Sequence, residues 1–174
     1  EVEVALSPTS VAGAYLNLDS EAAGRGFDSH RVAAKSAWDA ELKRFEFEPL
    51  RPEDRTVLQT ALYHTCLGPT LFSDVNGEFR SSDGRNDKAL IAGEKYENYS
   101  TFSLWDTYRA QHPWLALMQP ERNVDMIRSM LHHQANSPHD MLPIWSHWGQ
   151  ENWCMIGYHA VSVLADAAVK GLLD

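Results

Sequence analysis

The sequence predicts a mainly α-helical fold with one edge-type strand and one hairpin. Three observations carry this. Apolar residues recur at helical spacing over about five or six stretches. Helix-start signatures, Pro52-Glu53-Asp54 and Pro120-Glu121, open two of them. Alternation of period two is confined to short segments.

Taken in order, Glu1-Val2-Glu3-Val4-Ala5-Leu6 alternates polar and apolar residues and reads as a half-buried strand without visible partners. Ser7-Pro8-Thr9 is a turn, and Ser10 to Glu21 is mixed and admits a short helix. Phe27, Ala34, Trp38, Leu42 and Phe45 fall at helical spacing, with Asp28 or Ser29 as N-cap. Phe45-Glu46-Phe47-Glu48 then alternates as a short extended segment ended by Pro49. Pro52 sits near the first position of the next helix, and Glu53 and Asp54 face the positive end of its dipole. Val57, Leu58, Ala61, Leu62 and Thr65 form one face, and Gly68-Pro69 stops it.

Leu71 to Ser82 reads as a β-hairpin around Asn76-Gly77, where both central residues tolerate φ > 0. Ser81 to Tyr99 is a polar loop of the kind that borders sites. Ser103 to Gln111 is helical, kinked or broken at Pro113, and continued by Trp114 to Met118. Pro120 opens a helix with Val124, Ile127, Met130 and Leu131 inward and Asn136-Ser137-Pro138 as terminator. Leu142 to Trp145 is extended. Met155 to Leu173 is the last helix, with Val161, Leu164, Ala165, Ala168 and Leu172 on one face. A lone strand at one end and an abrupt stop at the other predict a piece of a longer polypeptide.

Composition narrows the function. The 174 residues can bury a sizeable core, and 44% hydrophobic with 22% charged residues excludes a disordered chain. No apolar run approaches the roughly 20 residues that span a bilayer. Lys+Arg number 15 against 24 Asp+Glu, a net charge of −9 that disfavours a nucleic-acid partner, because phosphates demand clustered Lys and Arg. Cys66 and Cys154 are too few for a disulfide framework, and their pairing stays open. No metal site is predicted. His132 and His133 point to different sides of a helix, and in Asp74-Val75-Asn76-Gly77-Glu78 the glycine comes too early for a calcium loop.

Six tryptophans stand out, five of them (Trp105, Trp114, Trp145, Trp148, Trp153) beyond residue 100. They suit either a heavy aromatic core or a concave surface for ligands with flat apolar faces and polar edges, sugars above all. In Ser103-Leu104-Trp105-Asp106-Thr107-Tyr108-Arg109, Ser103 is a good N-cap. Arg109 then follows Trp105 by four residues and Asp106 by three, on the same helix surface. The indole could cover a C–H face of a sugar, the carboxylate accept from vicinal hydroxyls and the guanidinium donate. An intrahelical Asp106–Arg109 ion pair beside a core tryptophan is the alternative. A second cluster, Leu142 to His159, carries three tryptophans, two histidines and Glu151, which reads as a carboxylic acid or as a helix-start charge.

Several motifs together resemble glycoside hydrolase family 92: Ala61-Leu62-Tyr63-His64-Thr65, Asp74-Val75-Asn76-Gly77, Ser103 to Pro113, Leu142-Pro143-Ile144-Trp145, and Cys154 to Ala160. These are calcium-dependent exo-acting α-mannosidases, best known from bacteria. The resemblance implies part of an (α/α)6 barrel preceded by a helical linker and the last strand of a β-sandwich. Residues 1–20 would end the sandwich, 21–50 form the linker and 51–174 begin an incomplete barrel. It implies removal of terminal α-linked mannose by inverting hydrolysis, a mannose-containing glycan and the C-terminal remainder of the enzyme as partners, and a secreted, periplasmic or cell-surface location. The general acid, the base and most calcium ligands are expected beyond Asp174, so no carboxylate here receives a catalytic role. Trp105 and Asp106 match positions lining the subsite for the terminal mannose, and Arg109, Arg80, Asp83, Trp145 and Glu151 fall in motifs near the pocket. A non-catalytic carbohydrate-binding or scaffold fragment, or an (α/α)6 glycosidase acting on other sugars, are the alternatives.

Overall fold

The computed structural model describes residues 2–173. Three helices come first: α1 (Val11–Glu21), α2 (Phe27–Leu42) and α3 (Pro52–Thr65). Six short strands follow: β1 (Thr70–Leu71), β2 (Glu78–Arg80), β3 (Asn86–Lys88), β4 (Leu90–Ile91), β5 (Glu94–Lys95) and β6 (Tyr99–Ser100). Then come α4 (Leu104–Thr107), α5 (Gln111–Met118), α6 (Pro120–Asn136), the hairpin β7 (Ser146–His147) and β8 (Gln150–Glu151), and α7 (Ala160–Val169). The strands pair antiparallel, two by two: β1 with β6, β2 with β3, β4 with β5 and β7 with β8.

The alternating residues at the start belong to no strand. Val2, Val4 and Leu6 are exposed, and no strand among the described residues offers them a ladder. The chain is gathered in just beyond them. Ser10 caps α1 by accepting from the Gly13 amide at 2.9 Å. The buried Asp74 carboxylate accepts from the Ser7 and Thr9 hydroxyls at 2.8 and 2.5 Å and from Asn17 at 2.7 Å. Gly13 is required there, because a Cβ would stand 2.6 Å from the Asp74 carboxylate.

Helix α2 is capped by Gly26 rather than by Asp28 or Ser29, and the stretch 45–48 forms no strand. The expected inward face of α3 is uncovered: α3 has no buried residue, and Val57 is 67% exposed. Its flank toward α2 is packed, where Trp38 meets Tyr63 at 4.7 Å between ring centroids, and its end is tied to α5 by Gln111 Nε2 donating to Thr65 O at 3.0 Å. A salt bridge from Glu41 to Arg122, 2.9 Å, holds α2 to α6.

The expected hairpin lies further along the chain. Asn76-Gly77 does form a turn, with the Gly77 amide donating to Asp74 and the Asp74 amide to Glu78. But Leu71 pairs with Tyr99, and Glu78–Arg80 pairs forward with Asn86–Lys88 around Asp83-Gly84. The segment 81–99 is therefore no plain loop; it holds β3, β4 and β5.

The main core joins Phe102, Leu104, Leu115, Met126, Ile127, Met130, Leu142, Ala160, Val163 and Ala167. A smaller one joins Phe72, Phe79, Ala89 and Tyr96. The helix around Pro113 breaks earlier than expected, at residues 108–110, and Pro113 sits in the first turn of α5, where a missing N–H costs nothing. On α6, Leu131 is exposed, while Asn123, Ser129 and His133 are buried. The polar residues are tolerated inside because they are bonded: Ser129 accepts from the Tyr99 amide at 2.9 Å. Helix α7 starts five residues later than the pattern suggested, after positive-φ turns at Met155 and Gly157. Its buried face carries Ala160, Val163 and Ala167, with Leu164 and Leu172 packed beside them, while Val161, Ala165 and Ala168 are exposed.

His112 is the buried titratable group of this core. Its Nδ1 lies 3.3 Å from Asn123 Oδ1 and its Nε2 has no partner. Burial pushes its pKa down from 6.5 to about 4, against a smaller raising effect of the Asn123 bond. With the folded value below the unfolded one, the unfolded chain binds the extra proton as pH falls from 6.5 toward 4. Stability is therefore fully present above pH 6.5 and is lost by up to about 1.4 kcal/mol per pH unit below it. Urea denaturation at several pH values should show this loss, and His112→Gln should flatten it.

Candidate functional site

Three chain segments carry the residues that the sequence singled out, and hydrogen bonds between the segments bring them to one region. The first is β2 and its turn, with Arg80 and Asp83. The second runs from β6 into α4 and on to Arg109. The third is the β7–β8 hairpin with its flanks, from Leu142 to Trp153.

The second and third segments are sewn together by main chain. The Phe102 amide donates to Ser146 O at 2.9 Å, and the Gly149 amide to Ser100 Oγ at 3.1 Å. Ser100 and Ser146 are both buried, so these bonds are shielded from water. The first segment joins through Gln150, whose Nε2 donates to Ser81 O at 3.2 Å and Ser82 O at 3.3 Å. Trp148 packs edge-on against Phe72, centroids 5.6 Å apart. Further along, Tyr108 stacks on His159 at 4.0 Å, and Tyr158 Oη accepts from the Leu142 amide at 2.8 Å. Three of the motifs, Ser103 to Pro113, Leu142 to Trp145 and Cys154 to Ala160, thus lock to one another through specific contacts.

On α4, buried Phe102 and Leu104 anchor the helix start, and Trp105, Asp106 and Arg109 face solvent. Trp105 is 37% exposed, and none of the described tryptophans belongs to the buried core. The heavy aromatic core is therefore not what these rings build. Nor does the expected Asp106–Arg109 ion pair form. Asp106 accepts a short hydrogen bond from Ser103 Oγ. The Arg109 guanidinium lies 5.0 Å from the Trp105 ring centroid and donates to Trp105 O at 2.9 Å. Ser103 thus serves the Asp106 side chain and makes no side-chain cap bond to the backbone.

Glu151 turns out to organise the hairpin. Its carboxylate accepts from the Ile144 amide at 2.7 Å and from the Trp145, Asn152 and Trp153 amides at 3.0 Å each. Neither sequence alternative, a free acid or a helix-start charge, describes a carboxylate so engaged. Trp145 donates its indole N–H to His147 in a short hydrogen bond. Asp83 accepts from the Arg85 amide at 2.9 Å and pairs with the Arg85 guanidinium at 3.5 Å. Arg80 is exposed at the end of β2 and flanks a cavity of about 20 Å³, together with Ser81, Ser146 and Gly149. No hydrogen bond or ion pair among the described residues joins Arg80 or Asp83 to the α4 patch.

Sequence reasoning missed the backbone strain of this region. Thr101, Trp148, Trp153 and Met155 all have positive φ, at 66°, 52°, 55° and 67°. For bulky L residues this costs on the order of 1–3 kcal/mol each, and such residues cluster where a function over-determines the geometry. Charge-assisted bonds of about 1.5–3 kcal/mol each, of the kind Glu151 gives Trp153, offset it. Trp148 and Trp153, 63% and 54% exposed, join the candidate sugar-facing rings on this account. Nothing in a single sequence marks a tryptophan for positive φ.

A much larger cavity, about 700 Å³, lies elsewhere, between the turn at 73–77, the β4–β5 hairpin and Asp125. Volume alone would favour it. Trp105, Asp106 and Arg109 instead form an open surface patch, lining no enclosed cavity among the described residues.

The model of the glycosyl hydrolase family 92 catalytic domain matches residues 13–174. A family GH92 alpha-mannosidase from Bacteroides thetaiotaomicron superposes with a TM-score of 0.88 at 46% identity. The match covers 96% of this chain and 22% of that one. The same mannosidase in complex with mannoimidazole gives a TM-score of 0.88 and 46% identity over 96% of this chain and 21% of that one. A family GH92 inverting mannosidase from the same organism reaches 0.84 at 29% identity, over 96% and 22%. No curated protein matches. The chain spans about a fifth of the length of these solved relatives.

Gly149 offers a direct check of how the segments are joined. It has φ +75°, and a Cβ on it would collide with the Arg80 carbonyl oxygen. Gly149→Ala should destabilise by about 1–3 kcal/mol through strain at that turn. It should also raise amide exchange at Phe102 and Gly149, read by hydrogen-exchange mass spectrometry, while α5 and α6 stay protected.

Proposed function

The chain belongs to glycosyl hydrolase family 92, and from that premise we propose that it supplies one wall of the sugar pocket in an enzyme that removes terminal α-linked mannose from glycans. The observation that carries the reading is the solvent-facing Trp105–Asp106–Arg109 patch, held in place by buried neighbours. The likeness to a mannosidase seen with mannoimidazole supports it. In this reading the Trp105 indole covers a C–H face of the terminal mannose, Asp106 accepts from its hydroxyls and Arg109 donates. Arg80, Asp83 and Trp145 border the same subsite.

Hydrolysis proceeds with inversion. A general acid protonates the leaving oxygen and a base activates water on the opposite face, the two carboxyl groups about 6.5–9.5 Å apart. Both are assigned to polypeptide beyond this segment, in the rest of the (α/α)6 barrel. Calcium belongs to the same remainder. Among the described residues no group of three or more His, Cys, Asp and Glu could hold a metal ion. No helix among the described residues is long and apolar enough to cross a membrane, and a secreted, periplasmic or cell-surface location is proposed, where mannose-rich glycans are met.

Mannoside hydrolysis by the 174-residue chain, alone and then completed by the C-terminal remainder with calcium, tests this. Turnover is expected only from the completed enzyme, and Asp106→Ala in that enzyme should lower kcat/KM about 100-fold, or about 2.7 kcal/mol. Full turnover by the 174 residues alone would refute the assignment of acid and base. Mannose affinity in the isolated chain, abolished by Asp106→Ala, would favour a non-catalytic carbohydrate-binding role.

A further inference from the structure

We infer that Glu151 is a positioning residue, one that sets the orientation of Trp145 and Trp153 toward the sugar through their backbone amides, and that it neither transfers a proton nor binds sugar. The inference rests on the mannosidase reading above and adds a role within the same site.

Ionised, a carboxylate offers two oxygens with about four lone-pair directions and no donor. Around Glu151 those directions are filled. Oε2 takes the Ile144 amide at 2.7 Å, and Oε1 takes the amides of Trp145, Asn152 and Trp153 at 3.0 Å each. Trp145 also reaches Oε2, at 3.3 Å. All these donors are backbone N–H groups, which cannot be withdrawn without unmaking the loop. A sugar hydroxyl meeting this group would have to displace an amide, and a general acid would need a proton where four donors already point in.

The donors come from both flanks of the hairpin. Ile144 and Trp145 precede β7, and Asn152 and Trp153 follow β8. Glu151 therefore closes a ring of main chain from 144 to 153. The Asn152 amide and side chain, both donating to Trp145 O at 3.2 and 3.3 Å, close it a second time. Trp153 stands at φ +55° directly beyond this closure, a conformation an indole-bearing residue adopts only under constraint. With the ring intact, the Trp145 side chain is directed onto His147 and the Trp153 ring onto His139, 4.9 Å between centroids.

The test uses the full-length enzyme containing this chain, as wild type, Glu151→Gln and Glu151→Ala. Glu151→Gln keeps shape and one acceptor oxygen but turns the other into an amide donor facing N–H groups. For a positioning role, KM for a terminal α-mannoside should rise about tenfold in Glu151→Gln and more in Glu151→Ala. kcat should hold within about twofold, and both limbs of the pH–rate profile should keep their midpoints. Global unfolding would instead lower the active fraction, and with it kcat, at unchanged KM. Loss of one pH limb in Glu151→Gln would make Glu151 an acid or base and overturn the inference, as would unchanged KM in Glu151→Ala. Amide exchange at Trp145, Asn152 and Trp153, measured without any substrate, should accelerate in both variants. Unchanged exchange overturns the positioning role even if the wild type proves inactive on mannosides, whereas inactivity with accelerated exchange rejects the mannosidase reading alone.

Discussion

The structure depends on a seam of hydrogen bonds between two stretches of main chain that lie some 45 residues apart in sequence, the strand-to-helix turn at 99–104 and the hairpin at 146–151. Two bonds define it: the Phe102 amide on Ser146 and the Gly149 amide on the Ser100 hydroxyl. Both involve buried residues, Phe102, Ser100 and Ser146, with Phe102 part of the main core. A bond made in water would be worth little; here an unmade one would strand a buried donor. The exposed Trp105 and Asp106 are thus carried on a base that cannot drift. That rigidity is what a sugar site needs, since affinity for a hydroxylated ring is spent quickly if its partners must first be ordered.

Strain and restraint are placed together around this seam. Thr101 and Trp148, which adjoin the two bonded stretches, and Trp153 just beyond the hairpin all occupy positive φ. The compensations are local and identifiable: Ser100 and Ser146 on one side, the Glu151 carboxylate on the other. At Gly149, against the Arg80 carbonyl, and at Gly157, against the His159 ring, a side chain cannot fit.

Much of the helical framework was legible in the sequence, because it rests on local chemistry. Pro52 and Pro120 open their helices at the expected residues, and Ser10 caps α1 as its side chain allows. What failed was whatever depended on distant partners. Asn76-Gly77 made a turn but not the hairpin, because Leu71 found Tyr99 instead. The faces of α6 and α7 were read in part: Ile127 and Met130 are buried and Leu164 and Leu172 pack on the core, but Leu131, Val161, Ala165 and Ala168 are exposed, and Asn123 and Ser129, held by polar partners, take buried places on α6. The α4 patch was found by spacing alone, and the alternative pairing of Asp106 with Arg109 is not what forms: Asp106 is held by Ser103 and Arg109 lies on the indole. Glu151 could not have been read correctly, since its partners are backbone amides and any residue supplies those.

The account stands or falls on whether the α4 patch grips the terminal sugar. A crystal structure of the complete enzyme with a mannose-shaped inhibitor such as mannoimidazole measures this directly. The inhibitor ring should lie over the Trp105 indole, with a hydroxyl within about 2.5–3.0 Å of an Asp106 carboxylate oxygen. A ring bound beyond reach of both side chains, with Trp105 and Asp106 left facing solvent, would contradict it.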